Sequence, residues 1–341
     1  MKKKLTAGAF CLVFAFLAAG CGEEDGLSPG NPVTLTMWHN YGGVLQETMD
    51  ELIDEFNGSL GRERGVIISV TSISASRELN EQLAKIAAGD PGAPRMPDLA
   101  VMYPAMALVL SKARLLAPLD SLFTGQELSA YLPQFIEEGR LPDGKLYVFP
   151  VAKSTEALFV NKVFFDRFSA AAGVGIESLS TFEGLVSAAA RYYQWTDSQT
   201  PDIPGDGKTF FTADSWFNIA LAGMAQLGED FAGSGRLNTS GGAFKRIWDV
   251  SVLPALAGVY AVSDNYSSDL ARTAEIVCSI GSTAGVLFYG DTVTYPDNTR
   301  EKAEYLILPY PVFSGGARVA IQRGAGMAAA KSTPQKEAAA A

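Results

Sequence analysis

The chain has 341 residues, 48% of them hydrophobic and 19% charged, which is enough apolar material for one large or two ordinary packed domains. Its 27 basic and 37 acidic residues give a formal net charge of −10, which argues against a protein that binds nucleic-acid phosphates. Three cysteines and one histidine nearly exclude a disulfide framework and a zinc site of the usual Cys/His type. We therefore expect a globular protein that needs no metal or cofactor.

The N-terminal 21 residues have the layout of an export signal. Lys2, Lys3 and Lys4 precede an uncharged apolar stretch, and small residues then lead to Cys21. This ending resembles a bacterial lipobox, which implies cleavage before Cys21 and diacylation of its thiol; an ordinary signal peptide cut nearby is the alternative. Residues 1–20 are thus predicted to be a lipoprotein signal peptide. Residues 21–31 are predicted to be a flexible tether that holds the protein at the extracytoplasmic face of the bacterial membrane, or in the periplasm.

The segment that follows the tether alternates strand patterns with helix patterns. Runs rich in β-branched or apolar residues predict strands over 33–37, 66–70 and 99–102. Apolar residues at helical spacing predict helices over 44–57, around 79–86 and from about 103 to 116. Such alternation indicates βαβ units and a largely parallel sheet.

Helices dominate the middle of the chain, from about residue 162 to 260. We predict them over 162–172, 182–195, 214–227 and 241–257, with extended runs over 145–150, 157–161, 275–280 and 305–309. Ser180 and Glu183 have the spacing of a capping box, and Ser332-Thr333-Pro334 predicts a further helix start. Cys278 lies in an apolar run and is predicted to be a buried small hydrophobe.

Several motifs occur in an order that resembles a known family. They are Thr34-Leu35-Thr36-Met37-Trp38-His39, then Pro142-Asp143-Gly144-Lys145 with the following Leu146 to Pro150, then Ser154-Thr155-Glu156 with the following Ala157 to Lys162, then Thr181-Phe182-Glu183-Gly184-Leu185, and finally Gly324-Ala325-Gly326-Met327. In this order they resemble the family 1 extracellular solute-binding proteins of ABC importers, which include maltose-type and glycerol-3-phosphate-type receptors. The resemblance covers nearly all of the chain after the signal.

The resemblance implies a two-lobe, periplasmic-binding-protein-like α/β fold of type II. Each lobe would be a mainly parallel sheet flanked by helices, with the ligand cleft between the lobes. The implied boundaries are 32–153 for lobe 1 and 154–309 for lobe 2, with 310–341 returning to lobe 1. Family members normally continue with more helices, so we expect a C-terminal remainder to be missing here.

Candidate binding residues follow the predicted strands, because ligands of open α/β sheets sit at the carboxyl ends of the strands. In the first lobe the residues predicted to contact the ligand are Trp38, His39, Tyr41 and Tyr103. Trp38 packing under the first helix is the alternative for that ring, and His39, as a lone imidazole, is more typical of a structural hydrogen-bonder. Tyr103 follows the third predicted strand.

Further candidates lie at the presumed crossover and in the second lobe. The resemblance implies contacts from Lys153, Ser154, Thr155 and Glu156, where Lys153 pairs either with an anionic ligand or with Glu156. Trp216 is a candidate stacking platform or a core residue. The remaining candidates are the small polar residues Ser282 and Thr283, the flexible Gly324, and Arg323. Arg323 is either a phosphate ligand or a solvated surface charge.

These observations predict a non-enzymatic lipoprotein that captures a mono- or oligosaccharide and delivers it to ABC permease subunits. We expect a monomer that does not bind nucleic acid. The alternative solute is glycerol 3-phosphate or a related polyol phosphate, although Pro104 stands where that branch tends to carry an acidic residue. A rival of another class is an exported glycosidase, which would need two paired carboxylates that the sequence does not identify.

Overall fold

A computed structural model describes residues 26–73, 76–233 and 235–341 of this chain. The predicted signal peptide, Cys21 and the first part of the tether lie outside these ranges. None of the helices within them combines the length with the apolar content that crossing a bilayer would require.

The strands are short, and most follow or precede a helix. In chain order they are β1 (Val33–His39), β2 (Val66–Ser72), β3 (Leu99–Met102), β4 (Phe149–Pro150), β5 (Ser154–Asn161), β6 (Phe211–Ala213), β7 (Ala232–Gly233), β8 (Arg236–Leu237), β9 (Tyr260–Ala261), β10 (Cys278–Ser282), β11 (Thr292–Thr294), β12 (Arg300–Lys302), β13 (Tyr305–Pro309), β14 (Gln322–Arg323) and β15 (Gly326–Ala329).

The helices range from one turn to more than four turns. They are α1 (Val44–Gly58), α2 (Leu60–Arg64), α3 (Ser76–Ala88), α4 (Pro104–Lys112), α5 (Gly125–Ser129), α6 (Pro133–Glu138), α7 (Lys162–Ala172), α8 (Phe182–Asp197), α9 (Trp216–Gln226), α10 (Gly242–Leu256), α11 (Ser267–Arg272), α12 (Val286–Tyr289) and α13 (Pro334–Ala340). Short 3-10 turns cover Leu119–Ser121, Ile176–Ser180 and Thr283–Gly285.

The chain divides into two compact units. Within the described residues, unit 1 consists of 26–100, Val109–Thr124 and Ala329–Ala341, and unit 2 consists of Val101–Leu108 and Gly125–Ala328. The lobe boundaries given by the family resemblance stay a prediction.

The first sheet has the strand order β2-β1-β3-β15-β4. β1 is parallel to both β2 and β3, with Val33 opposite Val66 and Met37 opposite Leu99, while β15 and β4 are antiparallel. The inward side chains of β1, Leu35 among them, alternate with exposed ones, as expected for a strand that buries one face.

The second sheet is centred on β5, which lies between β10 and β13 in the order β13-β5-β10-β6-β9, and β14 also pairs with β5. β5 is antiparallel to β10, β13 and β14, whereas β6 is parallel to both β10 and β9. The α/β class is thus confirmed, and both sheets are mixed.

β5 is buried on both faces, which explains its continuous apolar run. Leu158 and Val160 belong to the larger core cluster under α7, α8, α9 and α10. Ala157 and Phe159 point to the other face and pack with Tyr289, whose ring stacks on Phe159 at 4.6 Å between centroids. The period of two along a strand divides one sequence run between two cores.

Most predicted elements are present, with local differences at their ends. The helix predicted to reach residue 116 ends at Lys112, because Arg114 adopts a positive φ of 61° that breaks the helix. The extended run predicted over 145–150 forms a strand only at Phe149–Pro150. Leu146 instead forms an isolated bridge with Arg140.

The capping box predicted at Ser180 and Glu183 is wrong by one residue. The N-cap of α8 is Thr181, whose side chain accepts a hydrogen bond from the Gly184 N–H at 3.1 Å. Ser180 donates to the Glu177 carbonyl in the preceding 3-10 turn. Glu183 pairs with Arg246 instead of reaching back along its own helix. The helix start at Pro334 is confirmed, with Thr333 as its cap, and Cys278 is buried as predicted.

Candidate functional site

Polar side chains gather at one edge of the second sheet. β6, β9 and β10 are parallel, so their carboxyl ends lie at the same edge, and the antiparallel β5 places its first residues there too. Arg323 joins them because it pairs with Ser154 through β14. We call Ser154, Thr155, Glu156, Ser282, Thr283 and Arg323 the polar edge.

Hydroxyl groups of the polar edge connect β5 to β10. Ser154 Oγ lies 3.0 Å from Ser282 Oγ, and Thr283 Oγ1 accepts from the Thr155 N–H at 3.3 Å. Thr155 Oγ1 donates to the Ile321 carbonyl at 3.0 Å. A hydroxyl offers one donor and two acceptor sites, so these groups retain capacity for a bound solute after making these bonds.

Glu156 is the buried charge of the polar edge, with 3% of its surface exposed. Its Oε1 accepts hydrogen bonds from Arg323 Nη1 and from Asn218 Nδ2, each at 2.6 Å. Its Oε2 is buried as well and has no hydrogen-bond partner among the residues that the structure describes. The two carboxylate oxygens therefore stand in different environments.

Arg323 is held as a cation by its surroundings. Burial lowers the pKa of the guanidinium, but the hydrogen bond and charge of Glu156, with smaller contributions from Tyr103, raise it above its ordinary value. Tyr103 directly follows β3 and is half-buried. Arg323 is thus an ion-paired residue, and the prediction of a solvated surface charge is wrong because Glu156 binds it.

Lys153 precedes the polar edge and pairs with Glu138, not with Glu156. Its Nζ lies 2.7 Å from Glu138 Oε2 and donates to the Gly324 carbonyl at 2.6 Å. Gln322 donates to the same Glu138 oxygen. Lys153 and Glu138 line a small cavity with Pro104.

Gly324 permits a close approach of backbone to backbone. Its φ is +95°, a left-handed value that glycine adopts without strain. A Cβ at this position would overlap the Ala152 carbonyl oxygen and would lie 2.9 Å from Lys153 Cα. The backbone flexibility predicted for Gly324 therefore allows a close contact with another segment of the same chain.

Trp216 begins α9, directly after the Ser215 cap. Its Nε1 donates to Ser251 Oγ at 2.9 Å, and its ring meets Phe244 edge-on. It nevertheless keeps 36% of its surface exposed. The indole is therefore held in one orientation with part of its surface accessible, which combines features of both predictions for this residue.

In unit 1, three predicted residues lie at the carboxyl end of β1. Trp38 is half-buried, with Ala100 and Thr71 as its partners in the two adjacent strands. His39 is fully buried, and its Nδ1 accepts from the Tyr41 N–H at 3.2 Å. The rings of His39 and Tyr41 lie 5.3 Å apart.

The environment of His39 favours the neutral imidazole. Burial lowers its pKa, and the charge of Asp50 only partly opposes this shift. Its Nε2 is buried without a partner among the described residues. The acceptor role of Nδ1 fits the structural hydrogen-bonder that the sequence indicates.

Two residues of this region, Asn218 and Glu138, were not identified as candidates from the sequence. Asn218 lies three residues after the cap of a helix that follows a strand, and this position is a usable signal. Nothing in the sequence links Glu138 to Lys153 or Glu156 to Arg323, since 167 positions separate the latter pair. Within the described ranges, no cluster of three or more His, Cys, Asp or Glu side chains is arranged to hold a metal ion.

The sequence profile described as bacterial extracellular solute-binding protein matches residues 51–341. No curated protein sequence gives a significant match.

Many solved structures share the fold at low identity. UgpB from Mycobacterium tuberculosis in complex with glycerophosphocholine gives a TM-score of 0.70 at 16% identity, covering 91% of this chain and 76% of that one. The ABC substrate-binding protein Lmo0181 from Listeria monocytogenes in complex with cycloalternan gives 0.67 at 17%, covering 91% and 73%. MalE from Bdellovibrio bacteriovorus bound to maltotriose gives 0.63 at 17%, covering 90% and 74%.

Proposed function

Because the chain belongs to the bacterial extracellular solute-binding protein family, as the sequence motifs indicated, we propose that it captures a neutral carbohydrate for an ABC importer. This family binds solutes and is non-catalytic, so the glycosidase hypothesis is set aside. The membrane permease is the proposed partner that receives the solute. Anchoring through Cys21 and lobe closure on the solute stay predictions within this proposal.

The state of the two cations at the candidate site carries the preference for a neutral solute. Lys153 is bound by Glu138 at 2.7 Å and Arg323 by Glu156 at 2.6 Å. A phosphate at either cation would lie beside the bound carboxylate and be repelled by it, or displace it; leaving a buried charge without its partner typically costs about 3–5 kcal/mol. A sugar needs no such displacement, since hydroxyl and amide groups can exchange hydrogen bonds with it.

Exposed aromatic rings that follow the same strands in the sequence support a sugar. Trp216 follows β6, Tyr266 follows β9 and is 70% exposed, and Phe288 follows β10 and is 51% exposed. Aromatic faces provide flat apolar surfaces against which the apolar face of a pyranose ring can stack. Similar structures carry maltotriose or cycloalternan, which agrees with this solute class.

A polyol phosphate is the second candidate. One observation favours it, namely the TM-score of 0.70 to UgpB, whose solved complex holds glycerophosphocholine. The Ser154-Thr155 motif also resembles that branch of the family. In that case Arg323 or Lys153 would exchange its carboxylate partner for the phosphate.

Thermal melting of the purified protein against a solute panel tests the proposal. The panel holds maltose, maltotriose, cycloalternan, glycerol 3-phosphate and glycerophosphocholine. A solute that binds only the native state raises its free energy of unfolding, by about 2.7 kcal/mol at a hundred times Kd. We expect a rise in Tm with a neutral sugar.

A matched pair of serine variants localises the effect. Ser154→Ala should reduce the sugar-induced shift, whereas Ser198→Ala should not, because Ser198 caps the far end of α8. A shift with the phosphates alone would establish the second candidate. Equal shifts in the two variants would contradict a site at the polar edge.

A further inference from the structure

The ion pair of Glu156 involves only one of its two carboxylate oxygens. Oε1 is bound by Arg323 and Asn218, while Oε2 is buried and accepts nothing from the described residues. A buried acceptor without a partner costs about 1–3 kcal/mol, so native structures seldom leave one unpaired. The unpaired oxygen therefore points to a hydrogen-bond donor that comes from outside the chain.

The charge balance around Glu156 decides what kind of donor is required. The negative carboxylate and the positive Arg323 guanidinium cancel, and Asn218 adds no charge. A cationic donor is not needed for neutrality, and an anion would meet a carboxylate at close range. A neutral hydroxyl satisfies Oε2 without disturbing the pair.

A second buried group near Glu156 has the same incomplete bonding. The Tyr310 hydroxyl has no hydrogen-bond partner among the described residues. Burial raises the pKa of Tyr310 well above its ordinary value, and the charge of Glu156 adds to this shift. Tyr310 thus stays protonated, and neither its hydroxyl nor Glu156 Oε2 has a hydrogen-bond partner among the described residues.

We propose that Glu156 is a specificity-determining residue that sets the charge class of the solute. Through Oε1 it neutralises Arg323 and so excludes anions, and through Oε2 it accepts a hydrogen bond from a solute hydroxyl. This inference rests on the proposed function and deepens it. It also makes Arg323 a latent anion site that is unmasked when the carboxylate is removed.

Glu156→Gln tests the two roles together. The amide keeps the size of the side chain but leaves the Arg323 charge uncompensated. We expect inorganic phosphate and glycerol 3-phosphate to gain at least about tenfold in affinity, since one charge-assisted hydrogen bond is worth that factor or more. Maltotriose should lose about tenfold, because the charged acceptor is gone. Isothermal titration calorimetry measures both.

Three further variants isolate the cause. Glu156→Asp keeps the charge but withdraws Oε2 by one methylene, so it should weaken maltotriose without admitting phosphate. Glu156→Gln with Arg323→Gln should lose the gained phosphate affinity. Glu301→Gln is the matched control, because Glu301 pairs with Arg167 beyond the opposite ends of β5 and β13. Glu301→Gln should change the affinities for phosphate and for maltotriose much less than Glu156→Gln does.

The outcomes separate this inference from the proposed function. Maltotriose binding by the wild-type protein, with no phosphate gain in Glu156→Gln, overturns the inference and leaves the function standing. A phosphate gain that requires Arg323 supports the inference even where maltotriose fails to bind. If Glu156→Gln does not melt cooperatively, the wild-type titration decides: phosphate binding by the wild type overturns the inference, and its absence supports it.

Discussion

Lys336 Nζ lies 2.8 Å from Oδ1 and 2.9 Å from Oδ2 of Asp98, so one ammonium binds both oxygens of a carboxylate whose residue is only 8% exposed. Thr36 donates its N–H and its hydroxyl to Oδ2, each at 2.9 Å. This cluster fastens the C-terminal helix α13 to β1 within unit 1.

Replacing Lys336 with Met should destabilise unit 1. The change leaves Asp98 without its counter-ion, and because Lys336 is partly exposed we expect a loss of about 1–3 kcal/mol, less than for a fully buried pair. Lys331→Met is the control, since Lys331 is exposed and precedes the start of α13. Urea unfolding measures both, and equal stabilities would contradict a structural role for the pair.

The ion pair of Asp98 and Lys336 should also make the stability of unit 1 depend on pH in the acid range. Burial alone would raise the pKa of Asp98, but hydrogen bonds from Lys336 and Thr36 outweigh it and lower the pKa. A lowered pKa adds stability that is present above about pH 4 and is lost as the pH falls through the pKa of the folded state. The wild type should lose stability more steeply below pH 4 than Lys336→Met.

His39 predicts a second pH effect at milder acidity. Burial lowers its pKa, so the unfolded chain binds a proton more readily than the folded one. Stability should therefore fall as the pH drops below about 6.5, the ordinary histidine value. The chain has one histidine, so His39→Gln should flatten the change in Tm between pH 7.5 and 5. The same slope in both proteins would refute this assignment.

Gly324→Ala tests the close backbone approach beside Lys153. The new Cβ would overlap the Ala152 carbonyl, so we expect a loss of more than about 2 kcal/mol. Gly315→Ala is the matched control, because its φ is +78° but nothing lies within 4 Å of its Cβ position. That variant should lose only about 1 kcal/mol from left-handed strain. Denaturant unfolding distinguishes the two costs.

The cap of α8 gives a direct test at neighbouring residues. Thr181→Ala should cost about 1 kcal/mol, because it removes the acceptor for the Gly184 N–H. Ser180→Ala should change the free energy of unfolding by less than about 0.5 kcal/mol, as for most surface substitutions. The reverse order would restore the capping box predicted from the sequence.

Local signals in the sequence predict the helices well. The pattern that predicts a helix over 162–172 is confirmed as Lys162–Ala172, because Asn161 caps its start and the left-handed Gly173 ends it. The capping error at Ser180 arose because Ser180 fits the motif with Glu183, whereas Thr181, the residue that caps the helix, has Gly184 three positions on and does not fit it. Which one caps depends on the preceding 3-10 turn, and that turn is not encoded within the four residues of the motif.

The pairings that build the polar edge are beyond such local signals. The sequence identified Glu156 and Arg323 separately, but their bond depends on β14 pairing with β5 across more than 160 residues. Of the two partners predicted for Lys153, an anionic ligand or Glu156, the second is wrong for the same reason, since Glu138 binds this lysine. Chemistry-bearing residue types can be selected from motifs, whereas their partners follow from strand order and register.

The position of β5 also governs the order in which unit 2 is completed. The strands that cover its two edges, β10 and β13, are made more than a hundred residues after it. At a synthesis rate of about 5–20 residues per second, the apolar run 157–160 stays unpaired for several seconds or longer. A nascent chain of this protein thus carries an unpaired apolar strand segment that a chaperone can bind before β10 and β13 pair with it.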